Sequence, residues 1–468
     1  MISMSATAIA EAIGGRLVVE TAEDASKVFS GQTQTDSREV SPGDIFVARR
    51  GEETDGHLFV PQAVDRGAVL LIVERTVDSA VPQIVVEDST IALGRLAQHV
   101  VALARDHGEL TIVGITGSNG KTTTKNLVAA MAERVGPTVA SIKSFNNEVG
   151  GPLTMLRVET GTRTLVAEMG ASAEGEISRL TTMAPPDIGV VLSVGLAHAG
   201  GFGSIETTFR TKSEMVRDLP AAAVAVLNRD DPWVAKMAEL TRARVVWFGR
   251  RADADVRASD IQGSAQGTSF TLHVGQVHHR VRFGVVGEHH VANALAAVAV
   301  GLELGLGLET IVEVLQEATI AAPGRMEMLS CRDGITVIND AYNASPDSMS
   351  AALKTLAQIR RPEGRSIAVL GAMSELGERS GEEHDRVGLQ VVRLGIDELV
   401  VVGSEARRLH VSAINEGSWD GESVFFDSQD EALDYLVRTA RPGDTVLVKS
   451  SNAAGLQRLG DRLGEALA

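Results

Sequence analysis

The sequence predicts an α/β protein of three domains, and three observations support that prediction. Apolar stretches of strand length alternate with helical stretches over most of the chain, which is typical of parallel sheets covered by helices on both faces. The alternation is interrupted between Val256 and Gly287, where "TSFTLHVG" and "HRVRFGVVG" indicate a small antiparallel section, and it starts again after Pro323-Gly324. A chain of 468 residues is also too long for a single hydrophobic core.

The predicted domains differ in size and pattern. We predict a small α/β N-terminal domain over residues 1–88, a central domain with a P-loop ATPase-like parallel sheet over 89–322, and a C-terminal Rossmann-like α/β domain over 323–468. In the first, "DIFVARRG" and "AVLLIVE" predict strands, and "HLFVPQAVDRGA" predicts a helix that ends at Gly67. In the last, "GITVIND", "RSIAVLGAM", "DELVVVG" and "DTVLVKS" predict the strands of a second doubly wound sheet.

The composition excludes several classes of function. A net charge of −17 opposes binding to nucleic acid or an anionic membrane, because phosphates must be neutralised by positive side chains. The single cysteine, Cys331, excludes an internal disulfide and fits a reducing compartment. The N-terminus lacks the pattern of a signal peptide, and the longest apolar run, from Val291 to Leu308, is interrupted by Asn293 and Glu303 and predicts a buried helix. We therefore expect a cytoplasmic protein without membrane insertion.

A glycine-rich loop follows the apolar strand "LTIVGIT" and precedes a helix expected from about Lys121 to Arg134. Its sequence over residues 114–123 is "GITGSNGKTT", and the order strand, loop, helix is the context of a phosphate-binding loop. Glycines let backbone N–H groups face phosphate oxygens, and the helix N-terminus adds partial positive charge. Lys121 would supply a cation to the terminal phosphates and Thr122 a hydroxyl to Mg²⁺. The glycine spacing differs from the usual P-loop, so the alternative is a tight turn with an unrelated lysine.

Two further side chains follow core strands at the edge where this loop lies. Glu168 ends the strand "RTLVAEMG", and His198 lies in "SVGLAHAGGFGS" just after another strand. Each alone would suit a structural role, as a capping acid or a hydrogen-bonded loop histidine. Because ligands collect at the carboxyl ends of parallel strands, the two together with the loop predict a metal site. By spacing alone, Lys212 in "TFRTKSEMV" is predicted to be an ordinary exposed helix lysine.

The motifs around this loop carry a family resemblance. "GITGSNGKTTTK" resembles the nucleotide loop shared by Mur ligases and folylpolyglutamate synthases. Motifs similar to those of the Mur ligase family then cover nearly the whole chain: "DSREVSPGDIFVARRG", "DGHLFV", "SFNNEVGGPLT", "AEMGASAEGEI", "GLAHAGGFGS", "HHVANALAAVAV", "APGRMEM", "NDAYNASPDSM" and "LGAMSELGE". The segments "NNEVGGPLT" and "YNASPDSM" are specific to the member that adds D-alanyl-D-alanine to a UDP-muramoyl tripeptide.

This resemblance implies an activity and its partners. It implies an ATP-dependent peptide ligase of peptidoglycan precursor synthesis that uses ATP and Mg²⁺. UDP-N-acetylmuramoyl tripeptide and D-alanyl-D-alanine would be its substrates, and we expect a monomer. Two alternatives stay open: another amide ligase, which adds glutamate to folate or a different amino acid to a UDP-muramoyl peptide, and a ligase-like nucleotide-binding scaffold. The segment "DSREVSPGDIFVARRG" argues against folate, and the joint presence of Glu168, His198 and Lys212 argues against a scaffold.

The resemblance also implies a role for each matching residue. Catalytic roles fall to Lys121, Lys212, His198 and Glu168. The implied metal ligands are Thr122, Glu168, His198 and Lys212, with Lys212 as a carbamate, which reverses the prediction from spacing. The implied ATP-binding residues are Gly117, Ser118, Asn119, Gly120, Lys121, Thr122, Thr123, Asn293, Arg325 and Asp340. The implied substrate-binding residues are Ser37 and Arg38 for the UDP part, Asn146 and Asn147 for the muramoyl peptide, and Tyr342 and Asn343 for the dipeptide.

The chain departs from the family pattern at a few C-terminal positions. The resemblance leads us to expect aspartates where Asn339 and Ala372 stand, and "KGSR" where residues 449–452 read "KSSN". These departures bear on how the C-terminal domain binds the dipeptide, and the phosphate loop and implied metal ligands are unaffected.

Overall fold

A computed structural model describes residues 1–19, 21–51, 54–142, 144–195, 204–318, 324–416 and 422–468. Its strands form four sheets, one of two strands and three larger ones. The implied ligand His198 lies outside the described residues, as does Pro323 of the expected boundary. No helix in the described ranges is both long and apolar enough to cross a membrane.

The N-terminal part contains a five-stranded sheet and a small two-stranded one. The five strands pair in the order Arg16–Val18, Gln83–Val85, Leu70–Val73, Ile45–Val47 and Thr33–Gln34, with all pairs parallel except the first. Met4–Ser5 pairs with Val28–Phe29. The helices are Ala6–Ile13, Ala22–Ser26 and Val60–Asp65, the last preceded by the 3₁₀ turn Gly56–Phe59. The strands and the helix predicted here are thus confirmed.

The central part is built on a nine-stranded sheet. Its strands pair in the order Val277–Phe283, Gly267–Val274, Val256–Ser264, Arg244–Gly249, Val224–Asn228, Ile188–Val191, Thr111–Thr116, Thr164–Glu168 and Thr138–Ala140. Adjacent strands among the first three are antiparallel, as predicted, but these strands extend the parallel sheet at its edge. The helices are Ser89–His107, Lys121–Glu133, Gly150–Met155, Glu176–Met183, Ile205–Arg217, Pro232–Lys236, His290–Glu303 and Leu308–Glu317, with a 3₁₀ turn at Met237–Leu240.

The C-terminal part contains a six-stranded, mostly parallel sheet. Its strands pair in the order Glu327–Ser330, Thr336–Asn339, Thr445–Lys449, Ser366–Leu370, Glu398–Val402 and Ser423–Phe426, and only the first pair is antiparallel. The helices are Pro346–Ile359, Ser380–Arg393, Arg407–Asn415, Gln429–Thr439 and Gln457–Ala466, with 3₁₀ turns at Arg332–Gly334, Gly377–Arg379 and Ser404–Ala406.

The hydrophobic cores follow the faces of these sheets. The helix Ser89–His107 starts where the Asp88 carboxylate accepts hydrogen bonds from two backbone N–H groups. It packs against the helices Ala6–Ile13, Gly150–Met155 and Glu176–Met183, in a core that the N-terminal sheet and one face of the central sheet share. The opposite face of the central sheet is covered by Lys121–Glu133 and His290–Glu303. The latter is buried on almost every side, which confirms the prediction made for this apolar run. Both faces of the C-terminal sheet are also covered, so each larger parallel sheet leaves only its strand ends for binding.

Candidate active site

The conformation of the phosphate loop requires a glycine at position 120, and hydrogen bonds hold the loop against a neighbouring segment. Gly120 has a φ of +86°, and a β-carbon there would overlap the side-chain amide oxygen of Asn293, so only glycine fits at this helix start. Ser118 donates its backbone N–H to Ser193 O at 2.9 Å, and its hydroxyl accepts the N–H of Gly195 at 2.8 Å. The loop is therefore held against the segment that follows the adjacent strand Ile188–Val191.

The Lys121 ammonium lies over this loop. Its Nζ donates to Gly117 O at 2.7 Å and to Ser118 O at 3.4 Å. Burial lowers the pKa of Lys121, while the nearby Glu168 carboxylate acts to raise it. A cation is thus available where the terminal phosphates of a nucleotide would contact the loop.

Thr122 and Glu168 together present two oxygens that suit a Mg²⁺ ion. Glu168 ends the strand Thr164–Glu168, is 1% exposed, and accepts a hydrogen bond from Thr122 Oγ1 at 3.0 Å. Adjacent ligands of an octahedral Mg²⁺ lie about 2.9 Å apart, which matches this spacing. Mg²⁺ in nucleotide sites takes one or two protein oxygens and completes its shell with phosphates and water. The described donor set therefore fits this ion.

Ser144 joins the central and C-terminal parts at this position and was not predicted from the sequence. Its hydroxyl lies 3.3 Å from Thr122 Oγ1 and accepts a hydrogen bond from Arg325 Nη2 at 3.2 Å. The Arg325 guanidinium also lies over the Tyr342 ring, 4.3 Å from its centroid. Two residues further on, Asn146 donates to Glu168 Oε1 at 2.8 Å. The only sequence signal was that Ser144 begins the motif "SFNNEVGGPLT", just before its specific part "NNEVGGPLT".

Lys212 is buried, so the prediction from spacing that it is an ordinary exposed lysine was wrong. Its side chain is among the largest fully buried ones, on the helix Ile205–Arg217. Burial and, to a smaller extent, the positive charge of Lys121 together lower its pKa to about 7. The buried face of this helix is polar, because Thr208, Thr211, Ser213 and Glu214 are buried beside the lysine. The spacing of apolar residues therefore could not show that Lys212 lies on the buried face of this helix.

On the C-terminal side, a second lysine is paired with an aspartate. Lys449 is 2% exposed, and its Nζ lies 2.6 Å from Asp340 Oδ2 and donates to Asn343 O at 3.0 Å. The other Asp340 oxygen accepts the N–H of Met326 at 3.0 Å. These contacts fix the segment that carries Tyr342 and Asn343.

A cavity of about 890 Å³ brings most of the predicted site residues together. Those that line it are Ser118, Asn119, Gly120, Lys121, Thr122, Thr123, Asn146, Asn147, Glu168, Asn293, Arg325, Asp340, Tyr342 and Asn343. Gly117 and Lys212 do not line it. Ser37 and Arg38 are also outside it: Ser37 Oγ donates to Gln62 Oε1 at 2.7 Å, and the exposed Arg38 pairs with Asp36 at 2.7 Å.

Asn339, Ala372 and residues 450–452 do not line the cavity, and the departure at Asn339 has a local explanation. Asn339 is fully buried and donates its side-chain amide to Asp461 Oδ1 at 2.8 Å. An aspartate at this position would face that carboxylate and repel it. Ala372 and Ser451 are joined by a backbone hydrogen bond of 2.9 Å. Of the residues "KSSN", only Lys449 contributes to the described cavity wall.

The fold and the site are those of a nucleotide-using enzyme, and three family models match the chain. The Mur ligase family, catalytic domain, matches residues 32–101; the Mur ligase middle domain matches 115–301; and the Mur ligase, glutamate ligase domain, matches 324–452. A Mycobacterium tuberculosis relative named UDP-N-acetylmuramoyl-tripeptide--D-alanyl-D-alanine ligase is 42% identical, over 99% of this chain and 98% of its own.

Solved structures agree with these matches. The crystal structure of MurF from Acinetobacter baumannii has a TM-score of 0.88 at 33% identity and covers 99% of both chains. That of MurF ligase from Thermotoga maritima in complex with ADP has a TM-score of 0.81 at 30% identity, covering 93% of this chain and 98% of the other. The chain belongs to the Mur ligase family.

If Glu168 is a metal ligand, the effect of replacing it on the ligation rate should depend on the Mg²⁺ concentration. Glu168→Gln keeps the shape and one oxygen but removes the charge, so we expect ligation at low Mg²⁺ to fall roughly 10- to 100-fold. Raising Mg²⁺ should restore part of it, as measured by phosphate release across a Mg²⁺ titration. Glu133→Gln, the same change at an exposed helix end, is the control. If the Glu168→Gln enzyme is folded and its loss of activity is the same at every Mg²⁺ concentration, Glu168 has a structural role instead.

Proposed function

We propose that this chain joins D-alanyl-D-alanine to the terminal carboxylate of a UDP-N-acetylmuramoyl tripeptide, with ATP as the phosphoryl donor. The observation that carries the proposal is one cavity in which Lys121, Thr122 and Glu168 of the central part face Arg325 of the C-terminal part. The Mycobacterium tuberculosis relative, similar over its full length, bears the name of this reaction.

The first step activates the carboxylate, because hydroxide is too poor a leaving group for direct amide formation. A tripeptide carboxylate oxygen bonds to the γ-phosphorus of ATP, the bond from that phosphorus to the β-bridging oxygen breaks, and ADP leaves. The Lys121 ammonium and the loop N–H groups stabilise the charge that builds on the phosphoryl oxygens. Mg²⁺, when bound by Thr122 and Glu168, would supply further positive charge to the same oxygens.

The second step forms the amide. The dipeptide ammonium loses one proton to solvent, and its nitrogen bonds to the acyl carbon. The carbon–oxygen bond to phosphate then breaks, and the departing phosphate carries away the electron pair and the second proton. An acyl phosphate hydrolyses readily in water, so the walls of the cavity must exclude water until the amine arrives. The contact of Arg325 with Ser144 joins the two walls.

The remaining site roles are part of the same proposal. Asn293 would lie near the ATP base, and Arg325 and Asp340 would complete the nucleotide site from the C-terminal side. Asn146 and Asn147 would contact the muramoyl peptide, and Tyr342 and Asn343 the dipeptide. Ser37 and Arg38, outside the described cavity, would bind the UDP part at its far end. His198 and carbamylated Lys212 would add metal ligands.

The predicted domains would divide these tasks. The region 1–88 would bind the UDP-linked substrate, 89–322 would bind ATP, and 323–468 would bring the dipeptide. The boundaries at 88 and 322 stay predictions, as do the monomeric state and the cytoplasmic location.

A phosphate-release matrix tests the proposal. UDP-muramoyl dipeptide, UDP-muramoyl tripeptides with different third residues, and a folate are each combined with D-alanyl-D-alanine, L-alanyl-L-alanine or glutamate, with ATP in every well. We expect phosphate only with a UDP-muramoyl tripeptide and D-alanyl-D-alanine, together with a product of the matching mass.

Each alternative predicts a different pattern in the same matrix. A folate ligase would release phosphate with folate and glutamate, and another Mur ligase would do so with a different UDP-peptide and amine. A nucleotide-binding scaffold would bind ATP but give no ligation product in any well.

A further inference from the structure

The carboxylate of Asp347 lies beside the phosphate loop although it belongs to the C-terminal part. Asp347 is the second residue of the helix Pro346–Ile359 and lines the cavity. A β-carbon placed on Gly195 would lie 2.6 Å from Asp347 Oδ2 and 3.6 Å from Ser118 Cβ. The carboxylate and the phosphate-loop serine therefore flank the same backbone position.

This proximity is fixed by a direct contact between the two parts. Ser345 Oγ donates to Asn119 Oδ1 of the phosphate loop at 3.1 Å. Ser345 is also the N-cap of the helix, since its N–H donates to Ser348 Oγ at 2.9 Å and its hydroxyl accepts from Ser348 N. The start of the helix, and Asp347 with it, is thereby positioned over the loop.

Asp347 also differs from the other carboxylates of the cavity in its partners. Glu168 accepts from Thr122 and Asn146, Asp340 pairs with Lys449, and Glu148 lies 3.7 Å from an Arg179 nitrogen. The two remaining ones, Glu176 and Asp231, accept backbone N–H groups. Within the described parts of the chain, Asp347 has no hydrogen bond or ion pair from its side chain.

An acid in the first turn of a helix has an ordinary structural explanation. It interacts with the partial positive charge of the helix N-terminus, which stabilises a helix modestly. That role needs no cavity and no neighbouring phosphate loop. Beside the phosphates of ATP, an unpaired carboxylate is repelled, and a cation bound next to it would offset that repulsion.

The second substrate of the proposed reaction brings that cation. The dipeptide amino group has a pKa of about 8 and is largely an ammonium at neutral pH. It must approach the acyl carbon next to the transferred phosphoryl group, which the loop containing Ser118 and Lys121 would bind. We propose that Asp347 binds the ammonium group of the incoming dipeptide and orients its nitrogen toward the acyl phosphate. This inference rests on the proposed ligase function.

The test compares Asp347→Asn, which keeps the size but loses the charge, with Asp347→Glu and with wild type. For Asp347→Asn we expect the KM for D-alanyl-D-alanine to rise about tenfold or more, the cost of losing a charged hydrogen-bond acceptor. The KM values for ATP and the UDP-tripeptide should stay within about twofold, and Asp347→Glu should recover part of the loss. Glu309→Gln is the matched control, because Glu309 is the exposed second residue of the helix Leu308–Glu317.

A second measurement separates formation of the acyl phosphate from binding of the dipeptide amine. Hydroxylamine is small and mostly uncharged at neutral pH, and it traps an acyl phosphate as a hydroxamate. Asp347→Asn should therefore form hydroxamate from ATP and the UDP-tripeptide at close to the wild-type rate while ligating the dipeptide poorly.

Three outcomes would overturn the inference: an unchanged dipeptide KM, an equal rise in all three KM values, or loss of hydroxamate together with ligation. The last would mean that Asp347 acts in phosphoryl transfer. If wild type itself forms neither hydroxamate nor dipeptide product, the proposed ligase function fails, and the result is distinct from a failure at Asp347.

Discussion

Replacing Lys121 with alanine is expected to lower the rate of ligation by about 10²–10³-fold or more, the cost of removing one preorganised donor from a developing charge. The ammonium contacts Gly117 O and Ser118 O, so it lies against the loop that would hold the transferred phosphoryl group. The thermal unfolding midpoint should change little, because the side chain lies at the cavity and both carbonyls can be solvated. Lys121→Met, which keeps the apolar stem, should be equally inactive.

The measurement is phosphate release under saturating substrates, with circular dichroism to verify folding. Lys354→Ala, an exposed lysine on the helix Pro346–Ile359, is the control and should retain wild-type activity. A folded Lys121→Ala enzyme that turns over near the wild-type rate would contradict the assignment of this loop to phosphate binding.

Lys212→Ala is expected to be nearly inactive, losing about 10²-fold or more of the ligation rate. With a pKa of about 7, a substantial share of the Lys212 amine is neutral near neutral pH, whereas an ordinary lysine with a pKa of about 10.4 is almost entirely protonated. Only the neutral amine reacts with CO₂, which gives a carbamate and releases a proton. The carbamate presents two oxygens to a hard cation, while an ammonium would repel it. Lys212→Met, which fills more of the buried volume, separates chemistry from packing.

Three measurements distinguish a carbamate from a packing role. Short-chain carboxylates should restore part of the activity of Lys212→Ala by supplying an anion to the vacated space. Removing CO₂ and bicarbonate should slow the wild type reversibly, and bicarbonate should matter more as the pH falls below about 7, because the amine is then protonated. A Lys212→Ala enzyme that keeps most of its activity, or a wild type indifferent to bicarbonate, would contradict the carbamate.

The large elements of the fold could be predicted because their signals are local. The apolar strand Thr111–Thr116, the glycines after it and the helix Lys121–Glu133 follow one another directly, and each has its own pattern of residues. The helix after the loop was predicted from about Lys121 to Arg134 and runs from Lys121 to Glu133. The antiparallel strands from Val256 to Phe283 were recognised, but not their union with the parallel sheet, since strand pairing depends on partners distant in the chain.

The candidate site was predictable only where a residue follows a strand or a glycine loop. Glu168 was found because it ends a strand beside the phosphate loop. Ser144 was missed because its partner, Arg325, is 181 residues away. Asp347 was missed because a first-turn acid has an ordinary local explanation, and Ser345 carries no sign of its contact with Asn119. The roles of Ser37 and Arg38 are implied by the resemblance alone. The structure adds no support for them, because neither residue lines the described cavity.

The sequence by itself determined the order of strands and helices, the phosphate loop with its lysine and threonine, and the family to which the chain belongs. These depend on neighbours within a few residues, where steric limits, capping and hydrophobic periodicity act directly. The tertiary structure alone decided that Lys212 is buried, that Ser144 lies between Thr122 and Arg325, and that Asp347 lies against Gly195. A pKa, a metal geometry or an unpaired charge depends on which groups surround an atom in space, and that surrounding exists only when distant segments have packed together.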